Sequence, residues 1–288
     1  MPVKPYKEWE RGLLERLLVV YTEPEARAIA RWLLEKRACA GSAQRLLNAP
    51  LSLSEAVSRR IEQDIERLLR HEPVQYVLGE AYFFGMRFEV SPAVLIPRRE
   101  TEELVEWVLQ SIAPGQPLRL LDIGTGSGCI AITLKKHLPA VEVHAWDVSS
   151  QALEQAARNA AFHHVEIRFS HKDVLREAAA STHNEQWEVI VSNPPYIPKK
   201  EKALMQRHVL DYEPPIALFV DDSRPLLFYE AIARYAWHTL LPGGYLFFEI
   251  HEDYGMACKH MLEQYGFQQV QLRRDMQGKQ RMLRACKA

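Results

Sequence analysis

Four consecutive residues, Asn193-Pro194-Pro195-Tyr196, set the chemistry to look for. Proline fixes the backbone and brings no N–H. A loop with two of them offers carbonyl acceptors without competing donors. The Asn193 side-chain oxygen and the Pro194 carbonyl can each accept one N–H of a planar –NH2 group, and Tyr196 can stack on that plane. Such a corner holds a poorly nucleophilic, delocalised nitrogen with its face toward an electrophile. Orientation is then combined with acceptors for the charge that develops on nitrogen. In isolation, Asn-Pro is an ordinary turn. Here it ends an apolar run, residues 187–192, that reads as a strand.

A second constellation lies upstream. The run Leu118-Arg119-Leu120-Leu121-Asp122-Ile123 leads into Gly124-Thr125-Gly126-Ser127-Gly128 and then a helical stretch. Glycines permit the tight turn and let backbone approach a ligand closely. The spacing is G-x-G-x-G. A dinucleotide fingerprint would need glycine where Cys129 stands. Asp122 also argues against that reading, since an acid there suits a positively charged ligand. Asp147 follows Gly126 by 21 residues and ends the next strand, where an acid accepts from both hydroxyls of an unphosphorylated ribose. Asp173, after the third strand, can accept from an adenine amino group, with Val174 on the ring. The plainer alternatives are a βα turn for the loop, a helix cap for Asp147 and a solvated acid for Asp173.

These residues need elements to position them. Strands are expected at 118–123, 141–146, 165–169, 187–192 and 244–250, with helices at 101–112, 128–137, 150–161 and 225–241. That alternation predicts an α/β domain with a parallel sheet covered on both faces. The tail, 267–274 and 280–286, reads as two closing antiparallel edge strands. Ahead of it, residues 1–72 read as helical: Leu13, Leu14, Leu17, Leu18 and Tyr21 recur at helical spacing, as do Ile29, Trp32 and Leu33. Ser54 opens a further helix with Val57, Ile61, Ile65, Leu68 and Leu69 as its stripe. Between the two parts, residues 73–100 carry aromatic and β-branched residues broken by Gly79 and Gly85, which predicts a linking β-hairpin.

Composition narrows the classes. The 288 residues are 47% hydrophobic and 25% charged, as in a soluble globular protein, which argues against disorder. No run of ~18 apolar residues suggests a membrane helix, and the N-terminus lacks the apolar stretch of a secretion signal. The formal net charge is −1, and residues 1–80 hold 13 Lys+Arg against 12 Asp+Glu. A neutral helical unit is a poor grip for phosphate backbones and a better protein-facing module. The four cysteines, Cys39, Cys129, Cys258 and Cys286, form no metal-ligand spacing, so no metal is expected.

Asp122 to Gly128, with Asp147 and Asn193 to Tyr196, resembles a class I S-adenosylmethionine-dependent amino-methyltransferase. The stretch Pro73-Val74-Gln75-Tyr76 through Val94-Leu95-Ile96-Pro97-Arg98 and Glu100-Thr101-Glu102 narrows the resemblance. It is similar to the peptide chain release factor glutamine N5-methyltransferases, the PrmC/HemK family, over nearly the whole chain. Arg99, Pro215 and His251 depart from the family's usual residues, and no role is assigned to Arg98, Glu100 or Glu249. The resemblance implies a Rossmann-like seven-stranded class I methyltransferase domain over 101–288, a hairpin linker over 73–100 and a substrate-docking helical domain over 1–72. It implies that Gly124, Thr125, Gly126, Ser127, Gly128, Asp147, Asp173, Val174 and Asn193 bind S-adenosylmethionine, with S-adenosylhomocysteine as product. Asn193, Pro194, Pro195 and Tyr196 would bind the substrate glutamine, with Asn193, Pro194 and Tyr196 catalytic. The substrate would be the glutamine of the Gly-Gly-Gln loop in class 1 release factors, methylated by a cytoplasmic monomer with no membrane contact and no direct sequence-specific nucleic-acid binding. Two rivals remain at this point: a DNA adenine-N6 methyltransferase, whose exocyclic amine suits the same acceptors, and a non-catalytic interaction protein on the same fold.

Overall fold

A computed structural model of the protein describes residues 3–113, 115 and 117–288. The chain divides into two compact units. The first comprises the chain up to Gly79 together with Gln206–Tyr212. Its main helices are α1 (Tyr6–Leu17), α2 (Glu23–Ala38) and α3 (Glu55–Leu69). Ser54 caps α3, its hydroxyl accepting from the Val57 N–H at 3.2 Å. The apolar stripes converge: Leu13 and Leu17, Ile29 and Leu33, and Ile61, Ile65 and Leu68 share one core. Asp64 is fully buried within this bundle and takes the Arg37 guanidinium at 2.6 Å, the pairing a buried charge requires. A two-stranded ribbon, Val3–Pro5 against Pro50–Ser52, had no signal at helical period.

The expected hairpin is shorter than its sequence suggests. Val74–Leu78 is a helical turn, not a strand, with Pro73 at its N-cap and Gly79 at φ 79° ending it. Arg37 and Arg67 donate to the Val77 carbonyl and complete its open end. The hairpin itself runs Glu80–Phe83 and Met86–Glu89 and belongs to the second unit. The boundary between units therefore falls at Gly79 rather than at residue 72, and the return of Gln206–Tyr212 to the first unit was not visible in the sequence.

The second unit is built on a seven-stranded sheet. We label its strands β1 (Arg119–Ile123), β2 (Glu142–Asp147), β3 (Arg168–His171), β4 (Trp187–Ser192), β5 (Leu240–Glu249), β6 (Gln268–Arg274) and β7 (Gln280–Cys286). Their spatial order is 3-2-1-4-5-7-6. All pairings are parallel except those of β7, which runs antiparallel to β5 and β6. The helices are α4 (Arg99–Ser111), α5 (Cys129–His137), α6 (Ser150–Phe162), α7 (Leu227–Thr239) and α8 (Gly255–Tyr265). Helices α4 and α5 share one core with Leu120 and Val191, while α7 and α8 share another with Leu121 and Ile190. Alternate residues of one strand thus face opposite cores, which is why the strands read as unbroken apolar runs. Among the described residues no helix is long and apolar enough to cross a membrane, and no cluster of His, Cys, Asp and Glu forms a metal site.

Candidate active site

Sheet order reverses between β1 and β4, the place where α/β sheets open a ligand crevice at their strand ends. Ile123 pairs beside Ser192, and the Ser192 hydroxyl donates to the Ile123 carbonyl at 2.6 Å. The two strands therefore release the glycine loop and the Asn-Pro-Pro-Tyr segment side by side. A Cβ on Gly124 would stand 4.0 Å from the Asn193 carbonyl oxygen.

The loop is tied to β2. The N–H groups of Gly124 and Thr125 both donate to the Trp146 carbonyl at 2.9 Å. The Gly126 N–H donates to Asp147 Oδ2, and the Ser149 N–H to Asp147 Oδ1, each at 2.9 Å. Asp147 thus tethers the loop and holds Ser149, the residue whose hydroxyl caps α6, and burial raises its carboxyl above the usual range against the pull of these N–H donors. Gly128 serves packing: at φ 81°, a Cβ there would lie 2.9 Å from Ile132 Cδ1 and 3.1 Å from Ala156 Cβ. Thr125 and Ser127 are buried behind the loop, the Ser127 carbonyl accepting from Asn159 Nδ2 at 2.9 Å.

A cavity of about 250 Å³ fills the crevice. Of the residues singled out in the sequence, Gly124, Gly126, Asp147, Asp173, Val174, Asn193, Pro194 and Pro195 line it; Thr125, Ser127, Gly128 and Tyr196 do not. Asp173 also caps the one-turn helix Val174–Glu177, accepting from the Leu175 N–H at 3.0 Å. The opposite walls are residues 93–95 and Pro214, Ile216 and Ala217. Glu213 holds these two walls together, accepting from the Ile96 N–H at 3.2 Å and from the Arg98 guanidinium at 2.5 Å. That clamp, buried and joining residues 115 positions apart, had no signal in the sequence.

The lining chemistry selects a ligand class. Lys172 is the basic residue on the wall, and its ammonium is taken by Glu185 at 3.0 Å and Glu177 at 3.5 Å. Two carboxylates, Asp147 and Asp173, face a mostly apolar surface. Such a wall suits hydroxyls, amines and positive charge, and it disfavours phosphates. S-Adenosylmethionine fits this donor set: it carries a ribose diol, an adenine amine, an ammonium and a sulfonium, and no phosphate.

Around the corner the side chains form one chain of hydrogen bonds. Asn193 Nδ2 donates to Thr101 Oγ1 at 3.2 Å, Thr101 Oγ1 donates to Glu249 Oε2 at 2.6 Å, and Tyr196 Oη donates to Glu249 Oε1 at 3.0 Å. Burial raises the Glu249 carboxyl above its usual range, while the Thr101 and Tyr196 donors and nearby Arg281 oppose the rise. Burial, reinforced by Glu249, also pushes the Tyr196 phenol up. His251 packs edge-on against the Tyr196 ring at 6.0 Å and holds Glu201 at 3.1 Å. The sequence assigns no role to Glu249, and Thr101 stands there only within the stretch that carries the resemblance. The available signal was register: Phe248 pairs with Ser192, so Glu249 ends beside Asn193.

Beneath the loop, Asp122 is fully buried, with Thr125 donating to Oδ2 at 2.7 Å and Oδ1 making no hydrogen bond. Burial pushes its carboxyl from 3.8 up to about 7, although Thr125 and the Ala131 N–H pull it down. An acid raised on folding stabilises the fold below its unfolded value and loses that contribution as pH rises through the folded value. The cost above neutrality is on the order of 4 kcal/mol. Asp122→Asn is therefore expected to melt higher than the wild type at pH 8, with the gap closing toward pH 5, and to bind a cationic ligand more weakly. Calorimetric melts at both pH values check the first part; equal melting at pH 8 would contradict it.

The sequence matches the Methyltransferase small domain family over residues 101–211 and the PrmC N-terminal domain family over residues 14–79. A release factor glutamine methyltransferase of Flavobacterium psychrophilum is 39% identical over 96% of this chain and 98% of its own. A protein of the same name from Bacteroides thetaiotaomicron is 45% identical over 81% of this chain and 82% of its own. Among solved structures, a methyltransferase from Pyrococcus furiosus superposes with a TM-score of 0.53 at 20% identity, covering 82% of this chain and 100% of that one. At that identity the likeness is one of fold.

Proposed function

Since this chain belongs to the release factor glutamine methyltransferase family, we propose that its cavity holds S-adenosylmethionine beside the glutamine of a class 1 release factor's Gly-Gly-Gln loop. The enzyme transfers a methyl group to the side-chain amide nitrogen, N5, of glutamine. The observation that carries our reading of the site is adjacency: β1 and β4 deliver the glycine loop and Asn193–Tyr196 to one cavity. The competing readings, a DNA adenine methyltransferase and a non-catalytic protein, gain no comparable support, as the relatives are named for glutamine.

When bound, S-adenosylmethionine supplies an electrophilic methyl on a sulfonium whose leaving group is a neutral thioether, so no general acid is required. The protein's share is positioning. Gly124 and Gly126 let the backbone come close, and Asp147 accepts from the ribose hydroxyls with the lone pairs that Gly126 and Ser149 leave free. Asp173 takes the adenine amine, with Val174 against the ring. Thr125, Ser127 and Gly128 act from behind, keeping the loop's shape. At the corner, Asn193 Oδ1 and the Pro194 carbonyl accept the two amide N–H groups. Pro195 keeps that turn rigid, and Tyr196 flanks the amide plane. A lone pair delocalised into a carbonyl is thereby turned toward carbon, and the same acceptors stabilise the charge that grows on nitrogen. The proton then leaves nitrogen for water.

An amide alone cannot single out one protein loop, and recognition at protein interfaces rests on a few well-packed anchors. We assign that task to the neutral helical unit, in a cytoplasmic, monomeric enzyme. Incubation with methyl-labelled cofactor and candidate release factors, followed by mass mapping, tests the whole reading. One methyl on the Gly-Gly-Gln glutamine is expected. Label on DNA, or on no release factor, would sink it.

A further inference from the structure

The hydrogen-bond chain around Asn193 has a direction. As a carboxylate, Glu249 can only accept. It is 1% exposed, and Thr101 is 3% exposed, so neither oxygen of the acid nor the Thr101 hydroxyl has water to turn to. Thr101 has one hydrogen and commits it to Glu249 at 2.6 Å. What Thr101 then presents to Asn193 is lone pairs alone. Only the N–H end of the Asn193 amide can face it, and Nδ2 stands there at 3.2 Å. The other end of that amide, Oδ1, is thereby left for the cavity that Asn193 lines. Tyr196 is committed in the same way: its hydrogen points to Glu249, so its oxygen is an acceptor toward everything else.

We propose that Glu249, acting through Thr101, fixes which end of the Asn193 amide meets the substrate and so makes the corner accept an –NH2 group and refuse a carboxylate. This rests on the glutamine reading above and deepens it. Asn193 Oδ1 and the Pro194 carbonyl then present acceptors only to the cavity they line. The amide nitrogen of glutamine brings two donors to them. The carboxylate of glutamate, or an amide entering oxygen-first, meets lone pair against lone pair. Glu249 and Thr101 are positioning residues, separated from the reacting atoms by Asn193. They come from distant parts of the chain, 148 residues apart, at the end of β5 and the first turn of α4.

The test compares Thr101→Ser, Thr101→Val, Glu249→Gln and the double variant Glu249→Gln/Thr101→Val. Each is assayed for kcat and KM on a release factor, with S-adenosylmethionine affinity by calorimetry as the control for fold and cofactor site. Thr101→Ser keeps the hydroxyl and is expected to keep kcat. Thr101→Val frees the Asn193 amide to turn and lowers kcat on the order of tenfold. Glu249→Gln leaves one accepting end for the two donors Thr101 and Tyr196, and we place its –NH2 against Thr101. The Thr101 hydrogen then turns toward Asn193, and a donor faces the substrate nitrogen. A fall in kcat on the order of 100-fold is expected, the scale of removing one preorganised polar contact. Cofactor affinity stays put throughout.

The double variant is expected to be no worse than Glu249→Gln, because the reversed donor is gone; losses that multiply would overturn the relay. So would wild-type kcat in Thr101→Val, or a Thr101→Ser variant as poor as the valine. If Glu249→Gln loses cofactor binding as well, the serine and valine pair alone decides. A wild-type protein that leaves glutamine unmodified overturns the functional reading and this inference with it, whereas active wild type with unaffected variants overturns the inference alone.

Discussion

Asn193→Ala is expected to lower the rate of methyl transfer on the saturated enzyme by on the order of 10³. The alanine removes the acceptor for one substrate N–H and unfastens the side chain that Thr101 holds. An unheld amide nitrogen keeps its lone pair in conjugation with its own carbonyl, and random approach to a methyl carbon is then slow. The cofactor should scarcely notice, because the loop's ties to Trp146 and Asp147 do not pass through Asn193. Single-turnover rates with labelled methyl, set beside calorimetric affinities, separate the two effects. A variant that transfers methyl at the wild-type rate would remove Asn193 from the chemistry.

Asp147→Asn carries the second large effect, on binding rather than on rate. Both carboxylate oxygens already accept a backbone N–H, from Gly126 and from Ser149. An amide has one accepting end, so one of those N–H groups would face a donor, and the ribose would lose a partner as well. Charge-assisted hydrogen bonds contribute about 1.5–3 kcal/mol each, so the dissociation constant is expected to rise on the order of 100-fold. The ribose is common to S-adenosylmethionine and S-adenosylhomocysteine. Both should therefore weaken by the same factor, which equilibrium titration can read. Weakening of the methylated form alone would show that Asp147 answers to the sulfonium instead.

Local pattern carried most of the fold. The four helices expected in the second unit, α4 to α7, lie within two residues of their expected limits, because an apolar stripe and its ends are visible in any short window, whereas α8 was not among them. Strand β3 was less legible: Val165 and Ile167 pack against the core without joining the ladder, which starts at Arg168. Val74–Leu78 has β-branched and aromatic residues, yet its ends are a proline and a glycine, and arginines from α2 and α3 complete its carbonyls. At the site, the residues on strand-end loops were named from sequence, since glycine and proline announce backbone geometry. Thr101, Glu213 and Glu249 announce nothing. Each acts through partners about 90 to 150 residues away, and no local window contains those pairings. Strand register alone would have brought Glu249 to Asn193.

The bare prolines after Asn193 have a consequence for how often the enzyme can act on one nitrogen. At the substrate corner proposed above, a fresh amide offers two hydrogens to two oxygens. Once methylated it has a single hydrogen left, and the corner, having no N–H or hydroxyl to lend, must leave an oxygen against a greasy CH3. The product is thus held less firmly than the starting material and is oriented poorly for a second round. A loop able to donate would have lacked that asymmetry; this one counts to one and lets go.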